Sequence, residues 1–291
     1  MNSRETPTRV VPIDRTGFFL LLTWVGALQI MLDTGKDADW FGSTQIVVLA
    51  ITAVIGFIAF IIWELTEKHP IVDLSLFAKR NFALGTLAFC LGYAVFFANI
   101  LIMPLWMQTQ LGYTATWAGL VAAPSGVVAV LLTPLSARLM SRIDARILAT
   151  VAFIAFAVSY FMRAGFTTNA GFWDFVMPLL VQGVAMSTYF VAMITILLDG
   201  VKPERIPQAS GLSNFARITA GGFAASIVTT IWDRREALHQ SRLVDHATAF
   251  SPAMNQALAH LGQLGLSGLP AKALLLRNVV AEAYLLSLHG I

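Results

Sequence analysis

The 291 residues are 57% hydrophobic and 12% charged, against roughly 45–50% and 25% in soluble domains; a water-soluble globule is excluded because it would lack the polar surface to cover that much apolar mass. The formal net charge of +3 and the pI near 9.2 arise from Lys and Arg in short segments beside apolar runs, the placement of topogenic charge rather than of a nucleic-acid-binding patch. The single cysteine, Cys90, excludes an internal disulfide and a Cys-based metal centre.

Residues 1–15 are a polar segment carrying Arg4, Arg9 and Arg15, interrupted by Pro7 and Pro12. The first apolar run, Gly17 to Leu32, is followed by Asp33-Thr34-Gly35-Lys36 rather than by a small-residue cleavage site, so it reads as a retained helix. Ile46 to Leu65 completes a helical pair over 16–66. The linker 67–81 is too polar to cross a bilayer, although Val72, Leu74, Leu76 and Phe77 suit it to the membrane surface or to the side of a bundle. Further apolar runs at Phe82 to Trp106, Trp117 to Leu135, Ile147 to Met162, Phe172 to Leu198 and Gly211 to Trp232 give a five-helix bundle over 82–232. A helix needs roughly 20 apolar residues to span the hydrocarbon core, so the pattern predicts an all-α polytopic membrane protein with about seven transmembrane helices. The stretch 233–277 is expected to be an external loop with one or two short amphipathic helices, and 278–291 to be the opening of a last helix.

Lys68, Lys79, Arg80, Arg138, Arg142, Arg146, Lys202 and Arg205 fall in alternate loops, with Lys36 and Arg163 in the short loops opposite. The eight-to-two asymmetry places the first set and the N-terminus in the cytoplasm and the tail after Trp232 outside. Trp40, Trp106, Trp117, Trp173 and Trp232 lie at span ends, as interfacial aromatics do.

Polar groups that remain within spans are functional candidates, because each is destabilising in hydrocarbon unless paired. They are Gln29, Asn99, Gln108, Gln182, Thr195, Asn214 and Arg217. Asp33, Glu64, Asp174 and Asp199 lie near span ends, within reach of water, and no carboxylate stands at mid-span to carry a proton. Arg217 either snorkels to the cytoplasmic side or faces a cavity. Pro124, Gly126 and Pro134 weaken the hydrogen-bond ladder of the fourth span and predict a kinked helix. The turn Ser136 to Arg146 packs Arg138, Arg142, Asp144 and Arg146 together, where they serve as topogenic charge or pair with neighbouring helix ends. The five histidines lie in loops or tails at no metal-site spacing, and no nucleotide loop or catalytic triad is present. These features point away from an enzyme and from any cofactor or metal.

The segment SARLMSRIDAR resembles the second copy of the cytoplasmic loop signature of the major facilitator superfamily, G-R-x-x-D-R-x-G-R, with Ser136 at the usual glycine and Asp144 at the later one. Together with LQIMLDTGKDADWF, WELTEKHPIVDLSLFAKRNF, GYTATWAGLVAAPSG and PERIPQASGLSNFARITAGG, it resembles the EmrB/QacA branch of fourteen-span drug:proton antiporters over nearly the whole chain. The resemblance implies that 16–66 is the central helix pair, 82–232 the first five helices of the C-terminal bundle and 233–277 the external loop before the last helix. The N-terminal bundle, with the acidic residues of that branch, would be missing. The implied activity is multidrug efflux coupled to protons at a bacterial inner membrane, with a periplasmic adaptor and an outer-membrane channel as partners. Asn99, Gln108, Gln182 and Arg217 would line the substrate cavity, and Arg138, Arg142, Asp144 and Arg146 would latch the cytoplasmic face. The alternative is a non-transporting membrane subunit that assembles with a separately encoded N-terminal half.

Overall fold

The computed structural model describes residues 14–67, 70–166, 170–246, 252–263 and 269–289. The N-terminal arginines Arg4 and Arg9, and Lys68 and His69 of the linker, lie outside them. The described regular structure is wholly helical: α1 (Arg15–Thr34), α2 (Thr44–Thr66), α3 (Arg80–Gln110), α4 (Ala115–Leu139), α5 (Ala145–Arg163), α6 (Phe172–Leu198), α7 (Ile206–His246), α8 (Pro252–Gln263) and α9 (Leu269–His289). Side-chain caps fix several starts. Asp14 accepts from the Gly17 N–H at 2.9 Å at α1, and Asp144 accepts from the Arg146 N–H at 2.8 Å at α5.

Six of these helices, α1 to α6, are long and apolar enough to cross a membrane. The expected seventh span corresponds to α7, which falls short of the same apolarity because Ser213, Asn214, Arg217 and Thr219 interrupt its apolar residues. It packs along α3 and α9, so protein covers much of its length. It also continues beyond Trp232 to His246 as one 41-residue helix. The first fourteen residues of the stretch expected as a loop are therefore helical, since no Gly, Pro or cap interrupts Asp233 to His246. The last helix begins at Leu269 rather than at residue 278. Its Tyr284 carbonyl accepts from Trp232 Nε1 at 3.4 Å, and the two rings lie 5.3 Å apart.

The main packing pairs are α5 with α6, α4 with α6, α1 with α2, α3 with α7, and α7 with α9. Small residues allow the closest approaches. A Cβ on Gly183 of α6 would stand 2.5 Å from the Ser125 carbonyl of α4, and one on Gly56 of α2 would stand 2.8 Å from Trp24 Cβ of α1. The pair α1–α2 reaches the bundle through α7, where Trp24 meets Phe215 edge-on at 5.9 Å, Ser226 donates to the Leu32 carbonyl and Lys36 pairs with Asp233 at 2.7 Å.

Buried side chains form two layers. One gathers Phe82, Phe89, Phe96, Phe156 and Tyr189; the other gathers Trp106, Phe166, Phe175, Leu179 and Trp232. Large apolar residues face outward, with Val130, Leu131 and Phe161 more than two-thirds exposed, an arrangement that suits lipid and not water. Trp117 and Trp173 are exposed at helix ends, whereas Trp106 and Trp232 are buried in the second layer and not at a lipid interface. The linker lies against the bundle: Leu76 is buried in the first layer with Val72 packed on it, and the Val72 N–H donates to Glu64 Oε2 at 3.0 Å. Glu64 is thereby buried rather than water-accessible.

Candidate functional site

A cavity of about 740 Å³ opens between α3, α5 and α7. Its walls are apolar, including Leu91, Val95, Ile102, Phe223 and Ile227, with Asn99, Tyr160, Arg163 and Arg235 as polar members. Asn99, expected on a substrate cavity, is on this wall, and its Oδ1 has no hydrogen-bond partner among the described residues.

Arg163 was expected in a short external loop, but it is the last residue of α5 and only 8% exposed. Its Nη2 donates to Gln182 Oε1 on α6 and, at 3.4 Å, to Ser159 Oγ one turn earlier. The guanidinium also lies 5.4 Å from the Tyr160 ring centre. Nε and Nη1 make no hydrogen bond among the described residues. Gln182, fully buried on α6, thus touches the cavity only through Arg163. Ser159 completes the α5–α6 contact by donating to the Pro178 carbonyl at 2.7 Å.

The remaining cavity candidates lie elsewhere. Gln108 is exposed near the end of α3, and its amide donates to the Pro104 carbonyl of its own helix at 3.1 Å. Arg217 sits between α3, α6 and α7 with its guanidinium 4.3 Å from the Tyr93 ring centre, 5.5 Å from Phe89 and 5.6 Å from Phe190. It is half-buried and does not line the 740 Å³ cavity; aromatic faces partner its charge. Nη2 donates to Asn214 Oδ1 at 3.3 Å. The four candidates therefore divide between three places.

Pro124 and Pro134 both sit inside one continuous α4, and the Gly126 Cβ position meets nothing within 4 Å. Pro104 in α3 and Pro178 in α6 are further helix-internal prolines that the sequence reading did not single out.

At the opposite end, Arg138, Arg142, Asp144 and Arg146 are exposed, and none makes an ion pair among the described residues. Asp144 and Arg146 line a smaller cavity of about 370 Å³ with Asn81, Thr195 and Asp199. The contacts that tie this face together come from other residues. Arg205 pairs with Asp73 at 3.1 Å and donates to Ser75 at 3.2 Å, Lys79 donates to the Gly200 carbonyl at 2.5 Å, and Asn81 donates to Asp199 at 3.4 Å. They fasten the linker to the α6–α7 turn, and only their clustering in the Lys/Arg-rich loops signalled them. Among the described residues, no group of three or more His, Cys, Asp or Glu side chains could hold a metal ion.

Residues 15–226 match the Major Facilitator Superfamily. The chain is 41% identical over 291 residues to the fatty acid resistance protein FarB of Neisseria gonorrhoeae. It is 39% identical over 292 residues to the multidrug export protein EmrB of Haemophilus influenzae, and 40% over 296 residues to that of Escherichia coli K12. Each match covers all of this chain and 57% of the relative's length. The match over most of its length and these identities show that the chain belongs to the Major Facilitator Superfamily and is similar throughout to its EmrB and FarB members.

Proposed function

We propose that the chain forms the C-terminal portion of a multidrug efflux transporter of the EmrB type, a non-enzymatic carrier that exports hydrophobic, drug-like compounds across a bacterial inner membrane in exchange for protons. The observation that carries this reading is the 39–41% identity, along the entire chain, to proteins named for multidrug export and fatty acid resistance. Alternating access needs two bundles that rock about a site between them, and a chain spanning 57% of its relatives' length supplies one of the two. The proton-coupling carboxylate then belongs to the other bundle, in keeping with the lack of an Asp or Glu at mid-span in this sequence.

Asn99, Gln108, Gln182 and Arg217 are assigned to substrate passage and its support. Arg138, Arg142, Asp144 and Arg146 are assigned to a cytoplasmic latch that closes against the partner bundle, and Pro124, Gly126 and Pro134 to bending of α4. The N-terminus and linker are placed in the cytoplasm and the tail in the periplasm, with a periplasmic adaptor and an outer-membrane channel as partners.

The test is co-expression with the N-terminal six-span bundle of the Escherichia coli EmrB relative, in cells stripped of other exporters. Protonophore-sensitive dye export by the pair, weakened by Arg138→Ala and Asp144→Ala without loss of dye binding, is the expected result. Correct insertion of both halves without export would refute the reading.

A further inference from the structure

Three aromatic rings converge on one place between α3 and α6. Phe89 and Tyr93 of α3 each meet Phe190 of α6 edge-on, with ring centres 6.1 and 6.3 Å apart. Phe97 stacks on Tyr93 at 5.6 Å. Gly221 of α7 leaves room for the Tyr93 ring, since a Cβ there would stand 2.8 Å from Tyr93 Cε1. The rings are therefore held by one another and by these neighbours as well as by what lies between them.

Between them lies a cation of the chain itself. The Arg217 guanidinium is 4.3 Å from the Tyr93 ring centre, 5.5 Å from Phe89 and 5.6 Å from Phe190, all inside the ~6 Å over which a ring face attracts a cation. Its polar contacts are few by comparison. Nη2 donates to the neutral Asn214 amide at 3.3 Å, Nε is buried with no hydrogen-bond partner, and no carboxylate pairs with it among the described residues. Ring faces gathered at such distances are the means by which proteins recognise quaternary ammonium and other organic cations.

The box has an open side, because Tyr93, Phe190 and Arg217 are half-buried and Asn214, one turn before Arg217, is exposed. None of the three rings, nor Arg217, lines the 740 Å³ cavity, so this is a separate place in the bundle. Two cations cannot share it. Unit charges a few ångströms apart repel strongly where the dielectric is low, so a second cation enters only where the guanidinium has left.

We propose that Phe89, Tyr93 and Phe190 form an organic-cation site that Arg217 fills, and that Arg217 thereby bars cationic compounds from this face of the bundle. The inference rests on the assignment of Arg217 to substrate passage and adds the charge class that it rejects. A guanidinium that served packing alone would leave no cation site behind when removed.

The box holds a group the size of a guanidinium, so the probe is choline, with its uncharged isostere, an alcohol in which a quaternary carbon replaces the nitrogen, as control. Both are titrated by saturation-transfer NMR against the full chain in mild detergent, in protein that elutes as the parent does on size exclusion. The parent should bind choline no better than empty micelles do. Arg217→Ala should bind choline at least about tenfold more tightly than the parent, a gain of about 1.4 kcal/mol that lies within the range of cation–π contacts, and should show no such gain for the alcohol. Arg217→Ser is a second neutral variant with the same expected gain. Arg217→Lys keeps a cation in the box and should exclude choline as the parent does, and Tyr93→Leu added to Arg217→Ala should abolish the gain. The readout is binding to this chain alone, so a negative result leaves the efflux reading standing, and failure of the co-expressed pair to export leaves a positive result standing. Choline binding by the parent at the affinity of the neutral variants, no gain in those variants, an equal gain for the alcohol, a gain that survives Tyr93→Leu, or loss of the parent elution profile in both neutral variants would overturn the proposal.

Discussion

At the scale of single residues, Gln182 and Arg163 show how a side chain's partner decides its role. Gln182 is 1% exposed and accepts from the Arg163 guanidinium. Gln182→Leu removes that acceptor without opening a large void, so the loss should reflect one hydrogen bond to a buried charge, about 1.5–3 kcal/mol. A thermal melt of the purified variant checks this, and an unchanged melting temperature would mean that the contact contributes nothing. Gln182 was legible in the sequence because an amide in the middle of an apolar run stands out. Arg163 was not, because it ends a short span and hydropathy along one dimension cannot distinguish a loop cation from one turned back into the bundle. The available signal was its position four residues after Ser159 and three after Tyr160, which puts the three on one helical face. The same limit hid Trp106 and Trp232, whose places at span ends fit a lipid interface although their side chains are buried.

At the scale of elements, the apolar runs located α1 to α6 because hydrocarbon admits only stretches that satisfy their own backbone. That signal weakens after Trp232, where α7 leaves the apolar region and is held by α9 and by the Lys36–Asp233 pair. Glu236 stands in this extension. Burial pushes its carboxyl above the ordinary 4.5, and the nearby Asp233 charge adds to the shift. A carboxyl whose pKa is raised on folding binds its proton more tightly in the folded state. Its contribution to stability is therefore greatest below 4.5 and declines as pH rises through the raised value. Glu236→Gln mimics the protonated form, so the variant should melt higher than the parent at pH 7, and the two should converge as pH falls below 4.5. A parent that melts higher at pH 7 would contradict this. Sequence alone gave no access to the effect, which depends on how α7 and α9 dock.

At the scale of the whole molecule, one set of alternate loops carries most of the Lys and Arg, and the ion pairs Arg205–Asp73 and Lys36–Asp233 join segments at opposite ends of the helices. With Cys90 replaced by alanine, Asp37→Cys should react with a membrane-impermeant thiol reagent in intact cells whose outer membrane is permeabilised, and Ser75→Cys should not. The reverse pattern would invert the proposed topology. The order of helices and the family were legible because both are encoded in contiguous segments. The division of Asn99, Gln108, Gln182 and Arg217 among three locations was not, since it depends on the rotation of each helix about its own axis. The central proposal is that this chain supplies one bundle of a two-bundle transporter, and its most direct test is dye accumulation in cells stripped of endogenous exporters that express the chain alone, with and without a protonophore. The account predicts accumulation equal to that of the empty vector in both conditions; protonophore-sensitive efflux above that level would contradict it.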